Sequence, residues 1–409
     1  MVKASLIPLR RACAAAAAAT VLLVPAGAVR AYGAPAAPAP AAPSPTPSPD
    51  DGFARLTPAV AAELDAAIRT TMAETKVPGV IVGLWAPGKG SYVKTFGVAD
   101  KETGAPMRTD LGVRIGSETK TFTVTALLQL VDQGKAGLDD PIGRYVSGVP
   151  NGDRITLREL AGMRSGLFNY SEDPAFDKAL TGDPDRVFTP GELLDYSFRH
   201  PVQFAPDAKF EYSNTNLILL GLVIEKLTGR RLADVVNQDV IKAAGLRHTL
   251  FPTGSEFPAP HAQGYTDQTA SGKVENSTDW DPSWAWAAGA VTSDLQDLRS
   301  WAKTLATGTL LTPATQAQRL KTKPIGIPGD GYGLGIFDIQ GWIGHNGSIP
   351  GYETLTVYLP QARATMVVLL NTDVLVNGQE PSTLFGGAIT RVVTPGHVYP
   401  GKKPPVHGR

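Results

Sequence analysis

One cysteine in 409 residues, Cys13, excludes a disulfide framework or a cysteine-built metal site within a single chain. Histidine is also scarce. His200, His248, His261, His345, His397 and His407 show no metal-ligand spacing. Charge is sparse and balanced: 38 basic and 38 acidic residues cancel, which removes the basic field that nucleic-acid binding requires. No Gly-x-Ser-x-Gly elbow occurs, so a serine site of the α/β-hydrolase kind is set aside. No internal repeat is visible. What the chain does have is 43% hydrophobic residues against 19% charged, enough to bury a sizeable core.

The N-terminus has the layout of an export signal. Lys3, Arg10 and Arg11 precede the apolar run Ala12 to Val24, which is short for a membrane span, and small-residue cleavage sites follow near Ala28 and Ala31. Cleavage after Ala31 removes four basic residues and no acids, leaving 34 against 38 and a net charge of −4. Residues 1–31 are therefore expected to be a signal peptide and the mature protein to be secreted, with no stable membrane anchor. Residues 32–52 form an Ala/Pro-rich linker, with seven prolines between Pro35 and Pro49 that hold it extended. A folded domain is expected over 53–393 and a flexible Pro/Gly-rich tail over 394–409.

Within the domain, Thr57-Pro58 opens a helix running to about Lys76. Val80–Trp85 and Tyr92–Val98 read as a hairpin around Pro87–Gly90. Residues 118–290 carry helical patterns and loops. Strand character returns in Tyr332–Phe337, Trp342–His345, Thr354–Leu359 and Ala364–Asn371, and Pro381–Val393 reads as a closing helix. The fold class is α+β: an antiparallel sheet formed by N- and C-terminal strands, flanked by helices, with an inserted all-helical region.

Three short stretches carry chemistry. Ser117-Glu118-Thr119-Lys120 opens a helix, so serine and lysine share one face and the serine meets the positive helix end. A serine hydroxyl needs a proton acceptor, and lysine serves only if burial or nearby positive charge lowers its pKa from about 10.4. Tyr212 and Asn214 lie two apart before an apolar helix, an arrangement that turns both toward one cleft in extended chain. Gly344-His345-Asn346-Gly347-Ser348 ends or interrupts a strand; its glycines permit close approach, and the Ser348 N–H is placed to join that of Ser117 as an oxyanion hole. Trp280, Trp284 and Trp286 form a possible acyl-group lining.

These stretches, in this order, resemble the serine β-lactamase and penicillin-binding protein superfamily. Ser117-x-x-Lys120, Tyr212-Ser213-Asn214 and His345-Asn346-Gly347 are similar to its three motifs, and Ile155–Leu167 to a fourth conserved segment. The tyrosine and histidine forms make the chain most similar to class C β-lactamases, D-alanyl-D-alanine carboxypeptidases and related esterases. The resemblance implies a covalent acyl-enzyme. Ser117 is then the nucleophile, with Lys120 and Tyr212 moving its proton in either order. Asn214, His345, Asn346, Gly347 and Ser348 would bind substrate: a small peptide, a β-lactam or an ester. No cofactor or metal is implied, and a monomer is expected. A carboxypeptidase also needs a cation for its substrate's carboxylate. Lys321, Lys323, Arg319 and Arg299 are the candidates, while Asp338 would repel that group. The competing expectations are a D-alanyl-D-alanine carboxypeptidase-like or other D-amino-acid peptidase, a β-lactamase, a small-ester esterase, and a non-catalytic wall-peptide-binding module.

Overall fold

The computed structural model describes residues 52–399. The expected signal peptide, nearly all of the linker and residues 400–409 lie outside the described residues.

Thr57 caps helix α1 (Pro58–Thr75) by accepting from the Val60 N–H, and Pro58 occupies the first turn, where its missing N–H is not needed. Strands β1 (Gly79–Ala86) and β2 (Gly90–Gly97) follow as the expected hairpin. β1 is buried along its whole length, whereas in the edge strand β2 only Tyr92 and Phe96 are buried. The remaining strands of the main sheet come late: β3 (Lys323–Pro324), β4 (Asp330–Tyr332), β5 (Phe337–Ile339), β6 (Trp342–Ile349), β7 (Tyr352–Leu359) and β8 (Ala364–Leu370). Their order is β2-β1-β8-β7-β6-β5-β4-β3, with every neighbour antiparallel. Val80 sits opposite Leu370 and Leu84 opposite Met366, so the first and last parts of the domain complete one sheet.

Two strand expectations need correction. Tyr332–Phe337 is not one strand; it is split between β4 and β5. Gly335 turns the chain at φ +69°, and a Cβ on Gly333 would stand 2.2 Å from the Arg319 carbonyl oxygen, so the backbone bends where no side chain fits. β6 runs on to Ile349, which places His345-Asn346-Gly347-Ser348 inside a strand and not at its end or in a turn.

Between β2 and β3 the chain is mainly helical. The strands among the described residues there are two-residue pairs: Val113–Arg114 with Thr292–Ser293, and Tyr265–Thr266 with Glu275–Asn276. The central helix, α2 (Thr119–Asp132), is buried nearly all round. Its Phe122 stacks on Trp301 of α4 (Leu295–Thr307) with ring centroids 4.0 Å apart, and a fully buried phenylalanine contributes about 2–3 kcal/mol. Trp301 donates to the Thr121 hydroxyl, and the buried Arg319 donates to Thr125 Oγ1 and the Thr121 carbonyl. Helix α3 (Thr215–Thr228) packs beside α2 and ends at Gly229 in the left-handed region. On the opposite face of the sheet, α5 (Pro381–Val393) packs with α1 and brings Gly386 against Leu355. The chain beyond α5 stays attached. Trp342 Nε1 donates to the His397 carbonyl, and the Tyr399 N–H donates to Thr390 Oγ1. The folded part therefore reaches Tyr399, past the expected boundary at 393. No described helix is long and apolar enough to cross a membrane.

Candidate active site

The backbone turns sharply before α2. Gly116 has φ +49°, and a Cβ there would lie 2.7 Å from both the N and the O of Ser348. The start of the serine helix is thus pressed against β6. Gly347 makes this possible from the strand side, since a Cβ on it would stand 1.9 Å from the Ile115 oxygen. Thr354 of β7 donates to the same oxygen and ties the turn down. Beyond Gly344, β6 has no pairing with β5. Its edge from His345 to Ser348 is left facing the helix start. Ser348 of this edge therefore lies against Gly116, the residue before Ser117.

Lys120 is fully buried, with Nζ 2.9 Å from Ser117 Oγ and 2.9 Å from the Ala288 carbonyl oxygen. Burial holds its amine well below the usual lysine range. No carboxylate offsets that effect. The segment after the tryptophans is stitched to α2 beside it: Thr123 donates to the Ala287 carbonyl, and the Val291 N–H donates to Thr119 Oγ1. This fixes the Ala288 carbonyl in front of the amine.

Tyr212 stands on the other side of the lysine, with Nζ 4.8 Å from its ring centroid. Burial pushes its phenol above the ordinary value, while contact with the Ser117 hydroxyl pulls the other way. Ser117, Lys120 and Tyr212 therefore form one group, with Lys120 buried and Ser117 and Tyr212 half-buried.

His345 lies below Tyr212, with ring centroids 6.3 Å apart. Its Nδ1 faces the Asn346 carbonyl, and the Tyr332 hydroxyl is 3.3 Å from Nε2. Burial, reinforced by Lys120, pushes its pKa down to about 3, so the ring is neutral. His345 is therefore not the source of a positive charge beside the lysine. The ring is held as a neutral hydrogen-bonding group.

Asn214 does not cap α3 with its side chain. Its Nδ2 donates to Ser171 Oγ, and its N–H donates to Asn169 Oδ1. Thr215 donates to the Phe168 carbonyl and accepts from the Tyr170 N–H, while Ser165 donates to Asn216 Oδ1. The Ile155–Leu167 segment and the loop after it therefore position the second motif. Asn346 turns to the α5 face of β6, where Nδ2 donates to Glu380 Oε2 at 2.6 Å.

The tryptophans separate. Trp280 and Trp284 line a small cleft with Arg114, Ser277, Ile349 and Pro350, just past Ser348. Trp286 instead packs on α3, where a Cβ on Gly221 would lie 2.6 Å from its ring, so it drops out of the expected acyl lining. Asp338 accepts from the Gly341 N–H in the β5–β6 turn. Three of the four candidate cations are engaged elsewhere: Arg319 with α2, Lys323 with Asp207, and Arg299 over Trp85; Lys321 is exposed.

Sequence reasoning missed three groups here. Glu118, between the serine and lysine, is buried, and its carboxyl is pushed up to about 8 against the pull of the Thr354 and Thr356 hydroxyls. Tyr332 supports His345, and Glu380 holds Asn346. Only Glu118 lay beside a motif; the other two reach the site through strand pairing and helix packing. Among the described residues, His248, Asp294 and Asp297 bring metal-ligating atoms within 4.8 Å of one another. These atoms are already paired: His248 with Asp294, and Asp297 with the His248 N–H and the Thr249 hydroxyl.

The family model described as Beta-lactamase matches residues 64–383. The esterase EstB of Burkholderia gladioli is 31% identical over 219 residues, covering 50% of this chain and 56% of that protein. The D-aminopeptidase of Brucella anthropi is 26% identical over 317 residues, covering 75% of this chain and 59% of that protein. The chain thus spans less than two thirds of either relative. Among solved structures, a D-stereospecific amidohydrolase from Streptomyces sp. is similar at 32% identity and a TM-score of 0.69, covering 77% of this chain and 94% of that one.

Proposed function

This chain belongs to the β-lactamase family, and within it we propose a serine hydrolase that cleaves amides or peptides of D-amino acids through a covalent acyl-enzyme, acting outside the cytoplasm after export. The observation that carries this reading is the buried Lys120 amine 2.9 Å from Ser117 Oγ. Burial without a carboxylate partner favours the neutral amine, and a neutral amine in contact with a hydroxyl is a base. The Tyr212 phenol, pushed up by burial, keeps its proton and acts as the acid.

The cycle follows. Lys120 directs one N–H at the Ala288 carbonyl and its lone pair at Ser117. Ser117 Oγ attacks the substrate carbonyl carbon as its proton passes to Lys120. The resulting oxyanion sits between the N–H groups of Ser117 and Ser348, each worth about 3 kcal/mol in the transition state. The carbon–nitrogen bond breaks as Tyr212 gives its proton to the leaving amine, and Lys120 restores the phenol proton. Water then attacks the ester, losing its proton to Lys120; the bond to Ser117 Oγ breaks, and Lys120 returns that proton to Oγ as the acid product leaves. The similarity to a D-aminopeptidase and a D-stereospecific amidohydrolase supports D-amino-acid substrates. An esterase reading is the alternative, supported by the similarity to EstB.

The test is intact mass of the purified protein mixed with D-phenylalanine amide or a penicillin, beside Ser117→Ala. Ammonia release from the amide by wild type alone is the expected result. A lasting penicillin adduct would shift the reading to a penicillin-binding peptidase, and penicillin consumption to a β-lactamase. Full turnover by Ser117→Ala would remove the acyl-enzyme altogether.

A further inference from the structure

We propose that Trp286 is a positioning residue for the base: its ring, seated in a slot on α3, sets the Ala288 carbonyl that holds the Lys120 amine. The inference rests on the acyl-enzyme reading above and adds to it a residue that acts through its own backbone.

Residues 286–291 form a bracket around the reacting pair. The Ala287 carbonyl accepts from Thr123 Oγ1, the Ala288 carbonyl from Lys120 Nζ, and the Val291 N–H donates to Thr119 Oγ1. The Val291 carbonyl accepts from the Ile115 N–H, and a Cβ on Gly289 would lie 3.7 Å from the Gly116 carbonyl carbon. One short segment therefore touches the turn before Ser117 and the residues on both sides of Lys120. The amine itself has two hydrogen-bond partners, Ser117 Oγ and the Ala288 oxygen. A neutral amine turns its lone pair to the serine only if an N–H is taken elsewhere, and this carbonyl takes it.

Trp286 opens the segment at φ +31°, a conformation that bulky side chains rarely adopt. Strain of this kind persists only where the surroundings over-determine it. The surroundings here are Gly221, inside α3, where glycine is otherwise unfavourable. A Cβ at Gly221 would stand 2.6 Å from the Trp286 ring and 3.0 Å from Ala287 Cβ. The Trp286 carbonyl accepts from the Ala290 N–H at 3.1 Å, which closes the turn that presents Ala288. The ring is not ordinary core. It is half-buried and borders a cleft of about 140 Å3 with Phe251 and Leu232, whereas Trp301 and Trp342 are fully enclosed. Its contact with α3 fixes one backbone turn instead of filling an interior.

The experiment follows, by intact mass, the labelling of Ser117 by an alkyl fluorophosphonate. Ser117 Oγ gives its proton to Lys120 and displaces fluoride from phosphorus, so the rate reads serine activation without assuming a substrate. Trp286→Gly tolerates the backbone angle but lacks the ring, and it is expected to slow labelling by about tenfold to a hundredfold. Gly221→Ala, which keeps the tryptophan but crowds its slot, is expected to slow it similarly. Trp286→Phe returns a ring to the slot and should restore most of the rate. Gly386→Ala is the control: a Cβ there would stand 2.7 Å from Leu355, on the opposite face of the sheet, and labelling should be unchanged. Each rate is taken at a temperature where the variant keeps its native circular dichroism. An unchanged rate in Trp286→Gly or in Gly221→Ala would overturn the inference. An equal loss in Gly386→Ala would overturn it too, by reducing the effect to general packing. Ser117→Ala run alongside separates the two proposals. Labelling of that variant at the wild-type rate, or none in wild type, refutes the acyl-enzyme reading and this inference with it. Labelling lost in Ser117→Ala but unchanged in Trp286→Gly refutes the Trp286 role alone.

Discussion

Glu118→Gln is the substitution with the most direct physical consequence. The carboxyl, on the residue after the nucleophile, is fully buried beside Thr354 and Thr356, and burial raises its pKa from 4.5 to about 8. In the unfolded chain it ionises near 4.5. Between these values the folded protein holds a proton that the unfolded chain has lost, so stability falls as pH rises. The contribution is complete below pH 4.5 and is lost by about pH 8. The slope in that window is about 1.4 kcal/mol per pH unit. From pH 5 to pH 8 the wild type should therefore lose about 4 kcal/mol that Glu118→Gln keeps. The other raised carboxyls, Glu353, Asp373, Asp330 and Asp338, are present in both proteins and cancel in the comparison. Urea denaturation at pH 5 and pH 8, followed by circular dichroism, measures the difference. Parallel stability curves for the two proteins would refute the claim that Glu118 is held protonated by burial.

The rate should depend on pH through Lys120: kcat/KM falls on the acid side as the amine takes a proton, at a pH well below the usual lysine value. Because His345 titrates at about 3, His345→Gln should leave that acid limb in place between pH 4 and 8; its disappearance would assign the limb to histidine instead. Gly347→Ala should cut kcat at least about a hundredfold, because its methyl would stand 1.9 Å from the Ile115 oxygen and push the Ser348 N–H off the oxyanion, whose removal costs about that factor. Steady-state kinetics with an unshifted melting temperature would show the loss to be local, and near-normal kcat would refute the approach of β6 to the helix start.

Much of the fold was legible because it rests on local rules. Thr57-Pro58, Thr189-Pro190 and Glu380-Pro381 mark helix starts, and Gly229 marks a helix end. The hairpin of β1 and β2 is written in its turn residues. The sheet order was less accessible, since β1 pairs with β8 across almost the whole domain. The split of Tyr332–Phe337 depended on the Arg319 carbonyl, which no neighbouring residue reveals. The site divides along the same line. Ser117, Lys120, Tyr212 and the β6 motif were named from spacing and resemblance. The charge states were not, because they depend on burial. His345 reads as a possible cation in the sequence and is neutral in the fold, and Glu118 reads as an ordinary helix-start acid and keeps its proton.

These charge states also constrain one another. An ionised carboxylate against Lys120 would make an ion pair and hold the ammonium, which cannot accept the serine proton. The adjacent carboxyl, Glu118, is kept protonated to about pH 8, and burial alone governs the lysine. Glu380 stands on the other face of the strand, where it accepts from Asn346. There its charge works in the same direction as burial and holds the proton on Tyr212 until a leaving group takes it. An anion beside the lysine would disable the base, whereas an anion beside the tyrosine keeps the acid loaded. Under the proposed mechanism, the protonated Glu118 is consistent with Lys120 as the base and Tyr212 as the acid, an assignment that the spacing of Ser117, Lys120 and Tyr212 left open.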